Sequence, residues 1–192
     1  MQSRDVQTRD ADGDPIYRKN PHPKQAYRIT MTIENAPGPF GWVSGTAFYE
    51  IKNHEQCTPV EPITGVWNKS KRDGIPINFD RIGEFEYVAV IYADGLVDSN
   101  YYGKGVCHFE LASVGTTIKA TGKKGETRFQ SSLFVGEILG QKSKVTYFWS
   151  GGYPKDEVDD FPDQGESGPD HFKEELRNEL FKVALSVRKD AP

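Results

Sequence analysis

Cysteine and histidine are the residue types in this sequence best suited to metal binding or nucleophilic chemistry. The chain has two cysteines and four histidines, and each cysteine has a histidine nearby, His54 before Cys57 and His108 after Cys107. Zinc motifs place their ligands at spacings such as CxxC, which do not occur here. A zinc site would therefore need these four side chains to converge from two distant segments. The two simpler interpretations are a pair of unpaired buried thiols and a single disulfide.

A disulfide between Cys57 and Cys107 is the interpretation that we carry forward as a prediction. It would close a long loop in the unfolded chain and stabilise the fold by roughly 4 kcal/mol on the chain-entropy estimate. Structural disulfides persist in oxidising compartments, so the pairing indicates the periplasm or the cell exterior.

Sequence motifs for catalysis are incomplete. Ser150 is followed by two glycines, but the first glycine of a G-x-S-x-G nucleophile elbow is missing. His54 and Glu55 begin an HExxH pattern that has Thr58 in place of its second histidine. Thr117 occupies the first glycine position of a phosphate-binding loop. We therefore predict no catalytic residues, no cofactor and no metal site, and we expect that the protein is not an enzyme.

The strongest charge feature is an acidic segment, residues 156–170, which holds seven acidic and no basic side chains. The whole chain has a formal charge of −4, so the acidity is local. Such a segment is either a solvated loop held off the sheet by its own repulsion or a partner-binding loop. Asp156, Asp159 and Asp160 are the charged candidates for partner binding, because they could pair with basic residues and speed encounter.

Several aromatic residues fall in predicted turns. Tyr101 and Tyr102 lie in the loop 94–104, while Tyr153 lies just before the acidic segment and Phe161 lies within it. These rings either cap the open ends of a β-sandwich or form a contact surface, since tyrosine supplies interface energy at a small entropic cost. We predict that these four residues, together with the three aspartates, bind a partner.

An alternation of apolar and polar residues dominates from Tyr27 onward and predicts half-buried strands. Short strands separated by turn residues indicate an all-β fold, an antiparallel β-sandwich or barrel-like domain with at most one short helix. The run 85–93 is largely apolar and predicts a strand buried on both faces. The only helical pattern is 170–178, near the C-terminus. Strands are predicted at 27–34, 43–51, 85–93, 107–111, 129–135, 145–149 and 181–188.

Residues 1–26 differ in composition from the rest of the chain. They contain three prolines and few apolar side chains, so they cannot bury enough surface to offset the entropy of ordering. We predict a flexible N-terminal tether at 1–26 and a single β-domain at 27–192. The triplet at Asn68 has the form of a glycosylation sequon, which matters only in a eukaryotic secretory pathway.

Composition argues against two classes of protein. The longest uninterrupted apolar run, 87–93, has seven residues, whereas a membrane helix needs roughly 20. The net negative charge argues against a nucleic-acid partner, which normally requires a basic excess.

Three stretches are together similar to one protein family: IENAPGPF at 33–40, YYGKGVCH at 101–108 and YFWSGGYP at 147–154, with DFPD at 160–163. They resemble small periplasmic lipoproteins of Gram-negative bacteria that accompany lipase effectors of antibacterial, type VI-like secretion systems. Members of that family are immunity proteins, which bind and inhibit the phospholipase that a sister cell injects. The resemblance covers roughly residues 27–190.

The resemblance implies a lipidated cysteine ahead of Met1, with residues 2–26 as the tether between membrane and domain. It also implies a periplasmic location, a cognate phospholipase effector as the partner, and membrane contact only through the lipid anchor. An inhibitor needs only to cover the active-site cleft or block the cap of the lipase, so no catalytic residue is required. We expect the loops 94–104 and 151–170 to supply the contact.

Two other function classes remain open. A periplasmic or secreted β-sandwich could bind carbohydrate or lipid through its turn aromatics, and would then show affinity for glycans or vesicles without a protein partner. A periplasmic hydrolase with an unrecognised carboxylate or histidine site would show turnover on a substrate.

Overall fold

Short strands make up most of the secondary structure in this computed structural model, which describes residues 9–11, 13–67 and 71–190. The strands are β1 (Ala26–Glu34), β2 (Trp42–Ile51), β3 (Arg72–Ile77), β4 (Asp80–Arg81), β5 (Glu86–Tyr92), β6 (Phe109–Lys119), β7 (Arg128–Phe134), β8 (Lys144–Trp149), β9 (Pro162–Asp163) and β10 (Leu180–Lys189). The helices are α1 (His54–Cys57), α2 (Val135–Leu139) and the 3-10 helices Ser150–Gly152, Pro169–His171 and Glu174–Glu179. The Asn68 sequon and residues 1–8 and 12 of the predicted tether lie outside the described residues.

The strands form two five-stranded sheets that pack face to face, which confirms the predicted β-sandwich. The first sheet has the order β4-β5-β1-β10-β8, and the second has the order β3-β2-β6-β7-β9. Neighbouring strands are antiparallel except for β7 and β9, which are parallel. The described residues form no closed barrel.

The alternating side chains of the strands build the core between the two sheets. Ile29 and Met31 of β1 are fully buried, and Ile29 stands between Ala89 of β5 and Val187 of β10. Each buried aliphatic or aromatic side chain of this kind contributes about 1.5–3 kcal/mol. The central position of β1 explains why its alternation is so regular.

Two local predictions differ from the structure. β5 is buried on one face only: Tyr87 and Ile91 point into the core, while Val90 is exposed on the outer surface. A two-layer sandwich leaves the outer face of each sheet at the surface, and the apolar residues on that face of β5 conceal the alternation. The segment 170–178 contains two 3-10 helices rather than one helix, because Phe172 has extended backbone angles that separate them.

Residues 15–25, which belong to the predicted tether, lie along the sandwich. The backbone N–H groups of Lys24 and Gln25 donate to the carboxylate of Asp94 at 2.8 and 3.0 Å. The Tyr17 ring packs edge-on against Phe109, with the ring centroids 4.9 Å apart. One aromatic side chain and bonded backbone amides thus position a segment whose composition alone predicts no order.

Candidate interaction surfaces

Cys57 and Cys107 form a disulfide, as the sequence predicts. Cys57 ends the short helix α1, and Cys107 precedes β6 with its backbone N–H donating to Ser99. Both sulfurs lie in a small buried cluster with Ile51 and Tyr101, separate from the main core. The bond ties the connection between β2 and β3 to the connection between β5 and β6, and it is compatible with a periplasmic or extracellular location.

Tyr101 and Tyr102 face the protein rather than solvent. Tyr101 is 2% exposed, and its hydroxyl donates to the Val97 carbonyl at 2.7 Å while accepting from the Arg18 N–H at 3.1 Å. The half-buried Tyr102 shares a 2.6 Å hydroxyl–hydroxyl hydrogen bond with Tyr17. Burial, and then this hydrogen bond, raise the pKa of Tyr17 above its usual range. Tyr101 therefore braces the disulfide cluster and presents almost no surface to a partner.

The start of the acidic segment is held against the turn that precedes β7. The Asp160 carboxylate accepts the Gly125 N–H at 3.0 Å, and the Asp160 N–H donates to the Gly125 carbonyl at 3.2 Å. The Arg128 N–H donates to the Phe161 carbonyl at 2.8 Å, and the Asp156 N–H donates to the Thr127 hydroxyl at 2.9 Å. These bonds order a loop that its own charge repulsion would otherwise extend.

The three candidate aspartates have different surroundings. Asp159 is exposed and pairs with Lys155 at 2.6 Å, and the hydrogen bond from Lys155 to Asp159 raises the pKa of the lysine. The carboxylate of half-buried Asp160 lies 3.7 Å from the ammonium of Lys119, in addition to its bond with Gly125. Asp156 is half-buried, with its backbone bonded to Thr127. Asp159 is therefore the most exposed of the three, while Asp156 and Asp160 are half-buried and Asp160 also shapes the loop through Gly125.

Exposed apolar side chains accompany the acidic loop. Phe161 is 36% exposed, and Val158 and Trp42 are also exposed. The ammonium of Lys119 lies 5.9 Å from the centre of the Trp42 ring, between that ring and Asp160. Tyr153, by contrast, turns inward: its hydroxyl donates to the Pro39 carbonyl at 2.7 Å. The side chain of Phe161 is thus available for contact with a partner, while the hydrogen bond of Tyr153 to Pro39 fixes the position of the loop.

A network of buried charge under this surface is a feature that sequence reasoning missed. Glu126 accepts hydrogen bonds from the Thr121 N–H, the Thr121 hydroxyl and the Gly122 N–H, at 2.5 to 2.9 Å. Burial acts to raise its pKa, but these bonds and nearby Lys119 outweigh burial and lower the pKa of Glu126 below its ordinary value. The Lys119 ammonium donates to the Lys123 carbonyl at 2.7 Å. The only signal in the sequence is the turn composition TGKKG at 121–125.

The two predicted loops lie at opposite ends of the sandwich. At one end, the start of β1 meets the end of β5, where Ala26 pairs with Tyr92, and the loop 94–104 follows. At the other end, the start of β10 meets the end of β8, where Leu180 pairs with Trp149, and the loop 151–170 follows. We call these the tyrosine end, with Tyr101 and Tyr102, and the acidic end, with residues 151–170. One compact interface cannot contain both.

A second unpredicted feature is an apolar hairpin at the tyrosine end, residues 60–67, in the connection between β2 and β3. Its exposed apolar side chains are Val60, Ile63, Val66 and Trp67. No repeating pattern marks this hairpin in the sequence, because its apolar residues belong to a turn rather than to a strand.

Ionisable side chains elsewhere form exposed pairs. His108 lies 2.7 Å from Asp98, and His171 lies 3.3 Å from Glu166. Across residues 9–11, 13–67 and 71–190, no group of three or more His, Cys, Asp or Glu side chains is arranged to hold a metal ion. The Ser131 hydroxyl is buried beside β8 without a hydrogen-bond partner.

Comparisons with known proteins assign neither a family nor a function to this chain. No protein family, no curated protein and no solved structure gives a match to this chain. The described part of the chain has no helix of the length and apolar character that crossing a membrane requires.

Proposed function

We propose that this protein is an immunity protein that binds and inhibits a secreted antibacterial phospholipase effector in the periplasm. The observation that carries the proposal is the ordered acidic end, whose loop carries Asp156 and Asp159 together with the exposed side chains of Val158 and Phe161. Interfaces combine apolar anchors with a polar rim in this way. The sequence resemblance to effector-associated lipoproteins supplies the class of partner.

We assign the partner-binding role to the exposed part of the acidic end. Asp156, Asp159 and Phe161 form the contact, joined by Val158 and Trp42, and the inhibitor covers the active-site cleft or the cap of the lipase. Asp160 and Tyr153 hold the surface in shape through Gly125 and Pro39. Tyr101 and Tyr102 lie at the other end and take no direct part.

The proposal predicts a charge-dependent association with a phospholipase effector encoded beside this gene. Asp156→Lys with Asp159→Lys should slow association about tenfold at low ionic strength, because opposite charges steer encounter and salt screens them. The difference from wild type should shrink in high salt. Association and dissociation rates of the immobilised effector are the measurement.

The matched control changes the same amount of charge elsewhere. Glu55→Lys with Asp80→Lys alters two exposed acidic residues outside the acidic loop, one on α1 and one on β4, at the sheet edge opposite β8, and its association rate should equal that of wild type. Equal rates for both double variants would contradict the acidic end as the contact, and absence of any binding by wild type would contradict the proposed function itself.

A further inference from the structure

The apolar hairpin of residues 60–67 projects from the tyrosine end as an ordered turn. Val60 and Trp67 pair through a β-bridge at its base. Above that bridge, the Glu61 N–H donates to the Val66 carbonyl at 2.9 Å and the Gly65 N–H donates to the Glu61 carbonyl at 2.8 Å. The tip of the hairpin is therefore the turn 62–65, which carries Ile63.

The apolar side chains of this hairpin are exposed to solvent rather than packed against the core. Ile63 is 91% exposed and Val66 is 59% exposed, and Val60 and Trp67 are exposed as well. Single exposed apolar residues are common, but a contiguous group of them marks an interaction site. The Cys57–Cys107 disulfide secures the chain just before the hairpin, so the projection has a rigid base.

We propose that this hairpin inserts into the interfacial layer of an anionic phospholipid bilayer. Its residues follow the order of an interfacial anchor, with Ile63 at the tip and the amphipathic Trp67 ring at the base. Two exposed lysines lie at the same end of the sandwich: the Ile51 N–H donates to the Lys71 carbonyl at 2.8 Å, which places Lys71 close to Lys52. The ammonium of Lys52 pairs with Glu110 at 3.2 Å, so Lys71 is the lysine that we assign to a lipid phosphate.

The low charge of the hairpin favours the apolar layer of a lipid surface over a charged protein pocket as the occupant. Between residues 58 and 67 the only ionisable side chain is Glu61, whose carboxylate accepts a hydrogen bond from the Thr64 hydroxyl. The acidic segment 156–170 lies at the opposite end of the sandwich. Because an anionic membrane repels this segment, the protein is expected to bind the bilayer with the hairpin end. Docking through the hairpin therefore directs the acidic end away from the bilayer. This inference does not depend on the proposed function.

The test is sedimentation of the purified protein with vesicles of phosphatidylethanolamine and phosphatidylglycerol. Wild type should partition to the vesicles, and Ile63→Asp with Val66→Asp should weaken partitioning by about tenfold or more, since an aspartate is costly to transfer into a bilayer. The control is Ile82→Asp with Leu139→Asp, two apolar side chains that are 57% and 50% exposed outside the hairpin. This control should partition like wild type.

A second measurement reports whether the hairpin enters the bilayer. The tryptophan emission of wild type should shift to shorter wavelength on adding vesicles, and Trp67→Phe should remove the shift while Trp42→Phe keeps it. A wild type that stays in solution with vesicles would overturn the proposal. So would a hairpin variant that binds vesicles normally but loses binding to the phospholipase effector, because the hairpin would then be a protein contact.

Discussion

Glu126 shows how a single ionised side chain organises the acidic end. It is 9% exposed, and its two oxygens accept three hydrogen bonds from Thr121 and Gly122. Hydrogen bonds to a charged group contribute about 1.5–3 kcal/mol each when they are well formed. The turn that receives the Asp160 bonds is therefore ordered by a carboxylate that is itself buried.

The pKa of Glu126 gives a prediction about pH. Its pKa is lowered in the folded protein, so its contribution to stability is present above the pKa of the unfolded chain and is lost as the pH falls through the lower folded value. Glu126→Gln should lower the free energy of unfolding at pH 7 by about 1–3 kcal/mol and make the loss on acidification smaller. Urea unfolding at neutral and acidic pH measures both effects.

The control for this prediction is Glu55→Gln, at an exposed position on α1. That variant should keep the wild-type stability at neutral pH. If Glu126→Gln and wild type lost the same free energy between neutral and acidic pH, the hydrogen bonds of Glu126 would not be the source of the acid sensitivity.

Asp160 is the residue on which the shape of the acidic loop depends. Its φ angle of 53° lies in the left-handed region, which asparagine and aspartate tolerate better than alanine does. Asp160→Ala should lower the free energy of unfolding by about 1–2 kcal/mol, because it loses the bond to Gly125 and strains the backbone. Chemical denaturation measures this difference.

Asp160→Asn is the matched variant, since its amide oxygen can still accept the Gly125 N–H and its backbone tolerates the same φ angle. It should retain most of the stability of wild type. An asparagine variant as unstable as the alanine variant would point to the charge pair with Lys119, 3.7 Å away, rather than to loop geometry.

At the scale of elements, periodicity predicts most of the strands that build the core. It predicts only 107–111 of β6, which continues to Lys119 with Val114 and Ile118 buried, because a register shift after Leu111 interrupts the alternation. β1 and β10 alternate strictly, because one face of each is buried against the opposite sheet. The two-residue strands β4 and β9 are too short for any alternation to show. β3 contains Gly74 and Pro76, and its edge position tolerates a proline that a central strand would not.

The residue types of the candidate site could be predicted from the sequence, but which of these residues are exposed could not. The residues that we propose to bind a partner, and those that hold them in place, are mostly aromatic or acidic, as their types suggest. However, burial separates Tyr101 from Phe161 although both occur in connections between strands. That difference arises from Tyr17, which reaches Tyr101 from a distant part of the chain, with ring centroids 5.0 Å apart. Contacts between such distant residues leave no local pattern in the sequence.

At the scale of the whole molecule, the sandwich separates two surfaces of different chemistry. The tyrosine end carries the disulfide, residues 15–25 and the apolar hairpin 60–67. The acidic end carries the ordered loop with Asp156, Asp159 and Phe161. In the account proposed here, the first end lies on the membrane and the second binds the phospholipase, so that the inhibitor is held where the enzyme reaches its lipid substrate.

Inhibition of the enzyme is the most direct test of this account. The proposal requires a phospholipase effector gene beside the gene of this protein. Phospholipid hydrolysis by that effector should fall to background as purified wild-type protein is added in stoichiometric amounts. Asp156→Lys with Asp159→Lys should require a higher concentration, and Glu55→Lys with Asp80→Lys should inhibit like wild type. Hydrolysis that continues unchanged in an excess of wild-type protein would contradict the account.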